Sequence, residues 1–430
     1  MYTAILLLPL VAIAAQSAPD TLVVCAAEFR PALVEWQTYR SGQGREILVA
    51  DPPAHPEQLQ LKIRSVAGLG RLKYVVLVGD VAEWNHKPRT TLVSRDARTP
   101  SASDWPTTTI PTNYEPARIN TRWGSPPAIA ADAPYADVDG DQVPDLAIGR
   151  IPCDTTEELA AVMRKVLRYE RDAKAGAWER KLNIVSGVGG FGAVADALIE
   201  AAGRQVIQQS VPTRYEIRHT STKSAGTGAL APGEFGAGLR RQLSEDSLAW
   251  IYLGHGLPTR LASVATPRGQ ESLLSVDDVQ SLRCGTQSPL AVLIACYTGA
   301  VDMPRDCLAE ELLLAPQGPL AVIAATRVTM PYGNTVLGHE LLRACFADAA
   351  PALGDILLLA QRRTMQASAN DSLRESLDSL AQGISPPPVD LAAERREHVL
   401  MYHLLGDPLL RLRRPQASVA QANPDKAVTK

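Results

Sequence analysis

The chain has 430 residues, enough for about two domains, with 46% hydrophobic and 21% charged residues, an ordinary globular balance. A formal net charge of −3 gives no footprint for nucleic acid or an anionic membrane surface. The six cysteines (Cys25, Cys153, Cys284, Cys296, Cys307, Cys345) form no CxxC and no zinc-type cluster, and are too scattered for a disulfide scaffold.

Residues 1–18, MYTAILLLPLVAIAAQSA, have the apolar run and small-residue end of a secretory signal peptide. The run is too short to span a bilayer, and no later stretch reaches the ~18 apolar residues of a spanning helix. The mature chain is expected to be exported, to the periplasm, cell envelope or medium. It divides into an N-terminal α/β subdomain, 19–175, and a second α/β subdomain, 176–415, which carries the two strand ends described below. A polar tail, 416–430, is expected to be disordered.

In the first subdomain, strands at Thr21–Cys25, Glu46–Ala50, Lys73–Val78 and Asp145–Ile151 alternate with helical segments, the pattern of a parallel sheet. A long insertion, 81–134, is rich in Thr, Pro, Ser, Asn and Asp; such excursions often lie near functional faces. Just after it, "DVDGDQVPD" places Asp137, Asp139, Asp141 and Asp145 at positions 1, 3, 5 and 9 of a Gly-containing loop. These are hard oxygen ligands of the kind calcium prefers, and without a cation they would repel one another. The glycine at position 4, the proline at 8 and the lack of Glu at 12 separate the loop from an EF-hand. A structural Ca2+ is expected; the alternative is an Asp-Gly turn capped by its own side chains. Nothing calls for an organic cofactor. Asp154 and Glu157 then have capping-box spacing ahead of a helix carrying Leu159, Val162, Met163 and Val166.

The second series runs through strands at Leu182–Ser186, Tyr215–His219, Leu248–Leu253, Pro289–Ala295 and Pro319–Ala325, with a helix over Ala193–Gln209. The last three strands are almost wholly apolar, as in a sheet covered on both faces. Two of them end in chemistry. "WIYLGHGLP" presents His255 between Gly254 and Gly256, and "LAVLIACYTG" presents Cys296. Their separation leaves room for one crossover helix, so adjacent parallel strands would bring both to one cleft at the sheet's carboxyl edge. There an imidazole can draw a thiol toward thiolate. The Gly256 and Cys296 backbone amides would face a developing oxyanion. His219 reads as a solvated side chain, His398 and His403 as structural, and Glu310 and Glu311 as an ordinary helix face.

An apolar strand ending in His-Gly, followed by one ending in Ala-Cys, resembles the caspase-like cysteine peptidases, and among them the gingipain family. "KYVVLVGD" (Lys73–Asp80), "PDLAIGRIPCDTTEEL" (Pro144–Leu159), "RYERD" (Arg168–Asp172), "DCLAEELL" (Asp306–Leu313) and "LLGDPLLRL" (Leu404–Leu412) resemble family segments in the same order, over roughly residues 20 to 414. The resemblance implies a caspase-like three-layer α/β/α fold with mostly parallel sheets in two side-by-side subdomains. It implies a secreted cysteine endopeptidase acting on protein or peptide substrates through His255 and Cys296, by way of a thioester. Tyr332 falls where the family places residues lining the pocket for P1, the residue on the acyl side of the scissile bond.

The chain departs from the family in two places. Val188 stands where the family has a Glu that orients the histidine. The family's Asp for a basic P1 has Asp196 as its nearest counterpart, so Arg or Lys specificity is not carried over. A catalytically silent binding module and a thiol transpeptidase or ligase using the same dyad are the alternative readings.

Overall fold

The computed structural model describes residues 18–81, 108–187, 193–221, 234–266, 269–366, 371–385 and 387–415, with the backbone alone for 193–200. The leader, residues 82–107 of the insertion, Val188, the Asp196 side chain and the tail lie outside the described residues.

Ten strands form one sheet. Across it they run Ile47–Ala50, Thr21–Cys25, Tyr74–Val78, Ala147–Ile151, Tyr402–Leu405, Ala321–Ala325, Leu290–Ile294, Ala249–Leu253, Lys181–Ser186 and Glu216–Ser221. Apart from Tyr402–Leu405, strands within each half pair in parallel. Strands such as Tyr74–Val78, Leu290–Ile294 and Ala321–Ala325 are buried at every position, because helices cover both faces.

The two-residue period of a strand sorts the core into layers. On one face Leu22, Val24, Val75 and Leu77 meet Leu59 and Ile63 of the helix Pro56–Ala67. On the other, Val23, Val76 and Val78 join Leu33 and Trp36 of Arg30–Gly42 and Val162 and Met163 of Thr156–Asp172. This is the expected mostly parallel, three-layer caspase-like architecture.

The last strand joins the halves. Tyr402–Leu405 runs antiparallel to Ala321–Ala325 and touches Ala147–Ile151 through the Leu405–Arg150 pair. Just beyond it, the fully buried Asp407 accepts hydrogen bonds from Trp36 Nε1 and Arg40 Nη2, each 2.6 Å, while Arg40 Nη1 donates to Glu170 at 2.7 Å. A buried carboxylate tolerates its site only when paired in this way.

Local details differ from the sequence expectation. The capping box sits one residue later: the Thr155 hydroxyl accepts from the Glu158 N–H, and the Glu158 carboxylate accepts from the Thr155 N–H. The edge strand extends over Glu216–Ser221, with His219 inside it. The described part of the insertion forms a hairpin, Asn113–Pro116 against Ala128–Ala131. Asp132, at its end, takes Arg150 Nε and Nη2 at 2.7 Å each, and Arg150 also donates to the Gly79 and Ile110 carbonyls. Among the described residues, no helix is long and apolar enough to cross a membrane.

Candidate active site

The strands Ala249–Leu253 and Leu290–Ile294 pair in register, Leu253 against Ile294. The chain therefore leaves the sheet side by side at Gly254-His255 and Ala295-Cys296. Both His255 and Cys296 line one cavity of about 440 Å³.

The glycines around His255 serve close approach. The His255 carbonyl accepts from the Ala262 N–H at 3.0 Å and from the hydroxyl of the fully buried Tyr252 at 2.9 Å. That hydroxyl fills the space a Cβ on Gly254 would need, 2.7 Å away, and also abuts Gly187. A Cβ on Gly256 would stand 2.7 Å from the Cys296 carbonyl oxygen and 2.7 Å from Thr298 Cγ2. Only hydrogen fits there. Gly256 lies opposite Leu261 in a short hairpin, and Leu261 turns its own N–H outward to the Leu274 carbonyl. The alternation of an antiparallel ladder turns the Gly256 N–H outward as well.

Around the sulfur, the Thr329 N–H donates to Sγ at 3.3 Å, and the Thr329 hydroxyl lies 3.6 Å from it. Asn334 Nδ2 donates to that hydroxyl at 2.8 Å, and the Tyr402 hydroxyl donates to Asn334 Oδ1 at 2.7 Å. The next residue, Tyr297, sits in the left-handed region (φ 59°), with its N–H on the Arg327 carbonyl. Arg327 in turn grips Asp302 through two bonds of 2.9 and 2.6 Å and donates from Nε to the Ala128 carbonyl of the insertion hairpin. Beside Thr329, the Met330 N–H donates to His398 Nε2 while Nδ1 faces the Glu394 carbonyl. Burial lowers the pKa of His398 to about 4, so it is a neutral structural group.

Cys296 is the one partly exposed cysteine; the other five are buried. Burial pushes Cys25 and Cys284 up to about 12 and Cys345 to about 11, which leaves them protonated. His219 lines the same cavity, with Nε2 2.8 Å from Ser186 Oγ.

Tyr332 is placed elsewhere. Its ring is buried with Val206, Val336, Leu373 and Leu377, its hydroxyl lies between Asp378 (2.7 Å) and Arg395 (2.6 Å), and it does not line the cavity. It lies in the first turn of the helix Pro331–Leu342, which turns the ring toward a neighbouring helix and away from the sulfur. Substrate binding through Tyr332 does not fit this geometry.

In the acidic loop, Asp137, Asp139 and Asp145 can bring carboxylate oxygens within 4.8 Å of one another. Asp141 is outside that group, its carboxylate accepting from the Val143 N–H at 2.7 Å. The loop's own amides also reach Asp137, from Gly140 and Gln142. An all-oxygen donor set of this kind fits calcium.

Two further clusters join separate segments and leave no local pattern in the sequence. Asp80, Asp154 and Asp306 converge, and burial, with Asp154 adding repulsion, raises Asp80 to about 7 and Asp306 to about 6. Glu310, expected on an ordinary helix face, is buried beside Asp80 and caps the Cys307 N–H. His339, Glu340 and Asp371 also converge, but Arg343 and Arg363 lie 4.0 and 3.9 Å from the Glu340 carboxylate and oppose a cation.

The model of peptidase family C25 matches residues 14–413. The chain belongs to this family and is a cysteine-type peptidase. No curated protein sequence matches it. Among solved structures, it is similar to the Arg-specific cysteine proteinase gingipain R (RgpB), with TM-score 0.62 and 17% identity over 93% of this chain and 79% of that one. The complex of the pro- and mature domains of RgpB from Porphyromonas gingivalis matches with TM-score 0.63 and 17% identity, over 92% and 80% of the two chains. A structure described only as a protease matches with TM-score 0.64 and 17% identity, over 92% and 78%.

The contact between Gly256 and the Cys296 carbonyl leads to a direct expectation. Gly256→Ala should lower stability by about 1–3 kcal/mol through overpacking and cut peptidase activity by more than the melting temperature explains. Urea denaturation alongside kcat/KM checks both; wild-type values would show that the strand ends are not held this close.

Proposed function

We propose that this member of family C25 is an exported endopeptidase that cleaves peptide bonds with Cys296 as nucleophile and His255 as proton carrier. The supporting observation is that two strand-end residues from directly paired strands reach one cavity. His255 takes the thiol proton, and the sulfur attacks the scissile carbonyl carbon, forming a C–S bond. The Thr329 N–H, 3.3 Å from Sγ, steadies the negative sulfur before attack. Negative charge on the carbonyl oxygen is received by the Gly256 and Cys296 amides. The imidazolium then protonates the departing amine as the C–N bond breaks, leaving a thioester. Water, deprotonated by His255, attacks the thioester and releases the acid and the thiol. Export is supported by the apolar leader and its small-residue end.

A peptide-library digest tests this reading. The wild-type protein should cleave internal bonds, while Cys296→Ala and His255→Ala should each lose on the order of 10³-fold or more in kcat/KM and keep the wild-type melting temperature. Equal background from all three proteins refutes the dyad. Substantial turnover in His255→Ala alone points to His219 as the base.

We also propose that Asp137, Asp139 and Asp145 hold a structural calcium. Asp145 immediately precedes Leu146 and the strand Ala147–Ile151, so the ion would fix how the insertion meets the sheet. A ligand at a hundredfold excess over Kd stabilises by about 2.7 kcal/mol. EDTA should therefore lower the melting temperature, and calcium should restore it better than magnesium. Asp139→Ala should abolish that response, whereas Asp141→Ala should keep it. A melting curve indifferent to EDTA reduces the loop to a self-capped turn.

A further inference from the structure

We infer that the cavity behind Cys296 receives the P1 side chain and selects a large, uncharged, apolar residue such as Phe, Leu or Met. This rests on the peptidase reading above.

The cavity's lining runs from His255, Cys296 and Thr329 at one end along the sheet to Ala249 and Leu290, where the same strands begin. The stretch from Leu253 and Ile294 back to Ala249 and Leu290 alone spans four strand steps, about 13 Å, and the 440 Å³ is ample for any P1 side chain. Its walls are aliphatic: Ile251, Val292, Ile294 and Ile323 from three adjacent strands face Ile207 and Leu341 from helices. A lysine or arginine entering such a space would need a carboxylate to offset its lost hydration. Among the described lining residues there is no Asp or Glu.

The walls also leave the space unfilled. Gly203 and Gly338 both line the cavity, and a Cβ at either would meet nothing within 4 Å. Each lies inside a helix, Ala193–Ser210 or Pro331–Leu342, where glycine is unfavourable relative to alanine. No backbone requirement accounts for them, since neither has a positive φ. They keep the volume open.

The test is a set of peptides differing only at P1, assayed with the full chain, with Cys296→Ala as background and with Gly338→Leu. Wild type should favour Phe, Leu or Met over Arg and Lys by on the order of tenfold to a hundredfold in kcat/KM. Gly338→Leu, filling the wall, should lower the ratio of Phe to Ala cleavage tenfold or more while the melting temperature holds or rises. Gly203→Leu, from the other helix, gives the same readout should Gly338→Leu melt early. Preferred cleavage after Arg or Lys, or a Phe-to-Ala ratio unchanged in both glycine variants, overturns the pocket and leaves the peptidase reading standing. No cleavage above the Cys296→Ala background at any P1 overturns the peptidase reading, and the pocket with it.

Discussion

The closeness of two backbones governs the site. Leu253 and Ile294 pair in register, and one residue past the histidine the chain presses Gly256 against the Cys296 carbonyl, leaving 2.7 Å to the position of an absent Cβ. Because the sheet is rigid and the approach admits no side chain, imidazole and sulfur share one edge without help from a flexible loop. The Tyr252 hydroxyl, enclosed by Gly187 and Gly254, adds a fixed point to the His255 carbonyl. The glycines on both sides of the histidine are thus packing devices.

A second layer holds the sulfur. The segment after Ala321–Ala325 carries Thr329 to Sγ and is tied down from three directions. Arg327 binds Asp302 from the loop after Cys296 and Ala128 from the insertion hairpin. His398 holds Met330, and Tyr402 reaches Thr329 through Asn334. These buried groups are satisfied at each link, the condition under which a polar network lends rigidity. The insertion thus reaches the active edge through its backbone carbonyls.

How much of this could be read from the sequence varied with the range of the interaction. Apolar strands ending in His255 and Cys296 are local patterns, and their adjacency follows from the crossover length between them. Cys296 is set apart from the other cysteines in the sequence by its place at a strand end, and the structure buries the other five. The capping box lies one residue beyond the expected one because Asp154 and Thr155 can both cap, and geometry favours the Thr155 hydroxyl. Long-range features left no such trace. The place of Tyr402–Leu405 in mid-sheet, the burial of Glu310 against Asp80 and the turn of Tyr332 away from the sulfur all depend on segments far apart in the chain. Asp141 shares the spacing of its neighbours in "DVDGDQVPD", yet its carboxylate turns to the Val143 amide. The cavity is least visible of all: its walls are ordinary core residues, and its openness depends on two glycines that sequence alone does not distinguish from other helix glycines.

The central claim is that Cys296 and His255 form one reacting pair at one end of an apolar cavity. The most direct measurement is a crystal structure of the protein after reaction with a peptidyl chloromethyl ketone bearing phenylalanine at P1. The account predicts a single thioether at Cys296 Sγ, the His255 imidazole within hydrogen-bond reach of that sulfur, and the phenyl ring among Ile251, Val292 and Ile323. Alkylation at another residue, or an adduct at Cys296 with His255 turned away from it, would contradict the account.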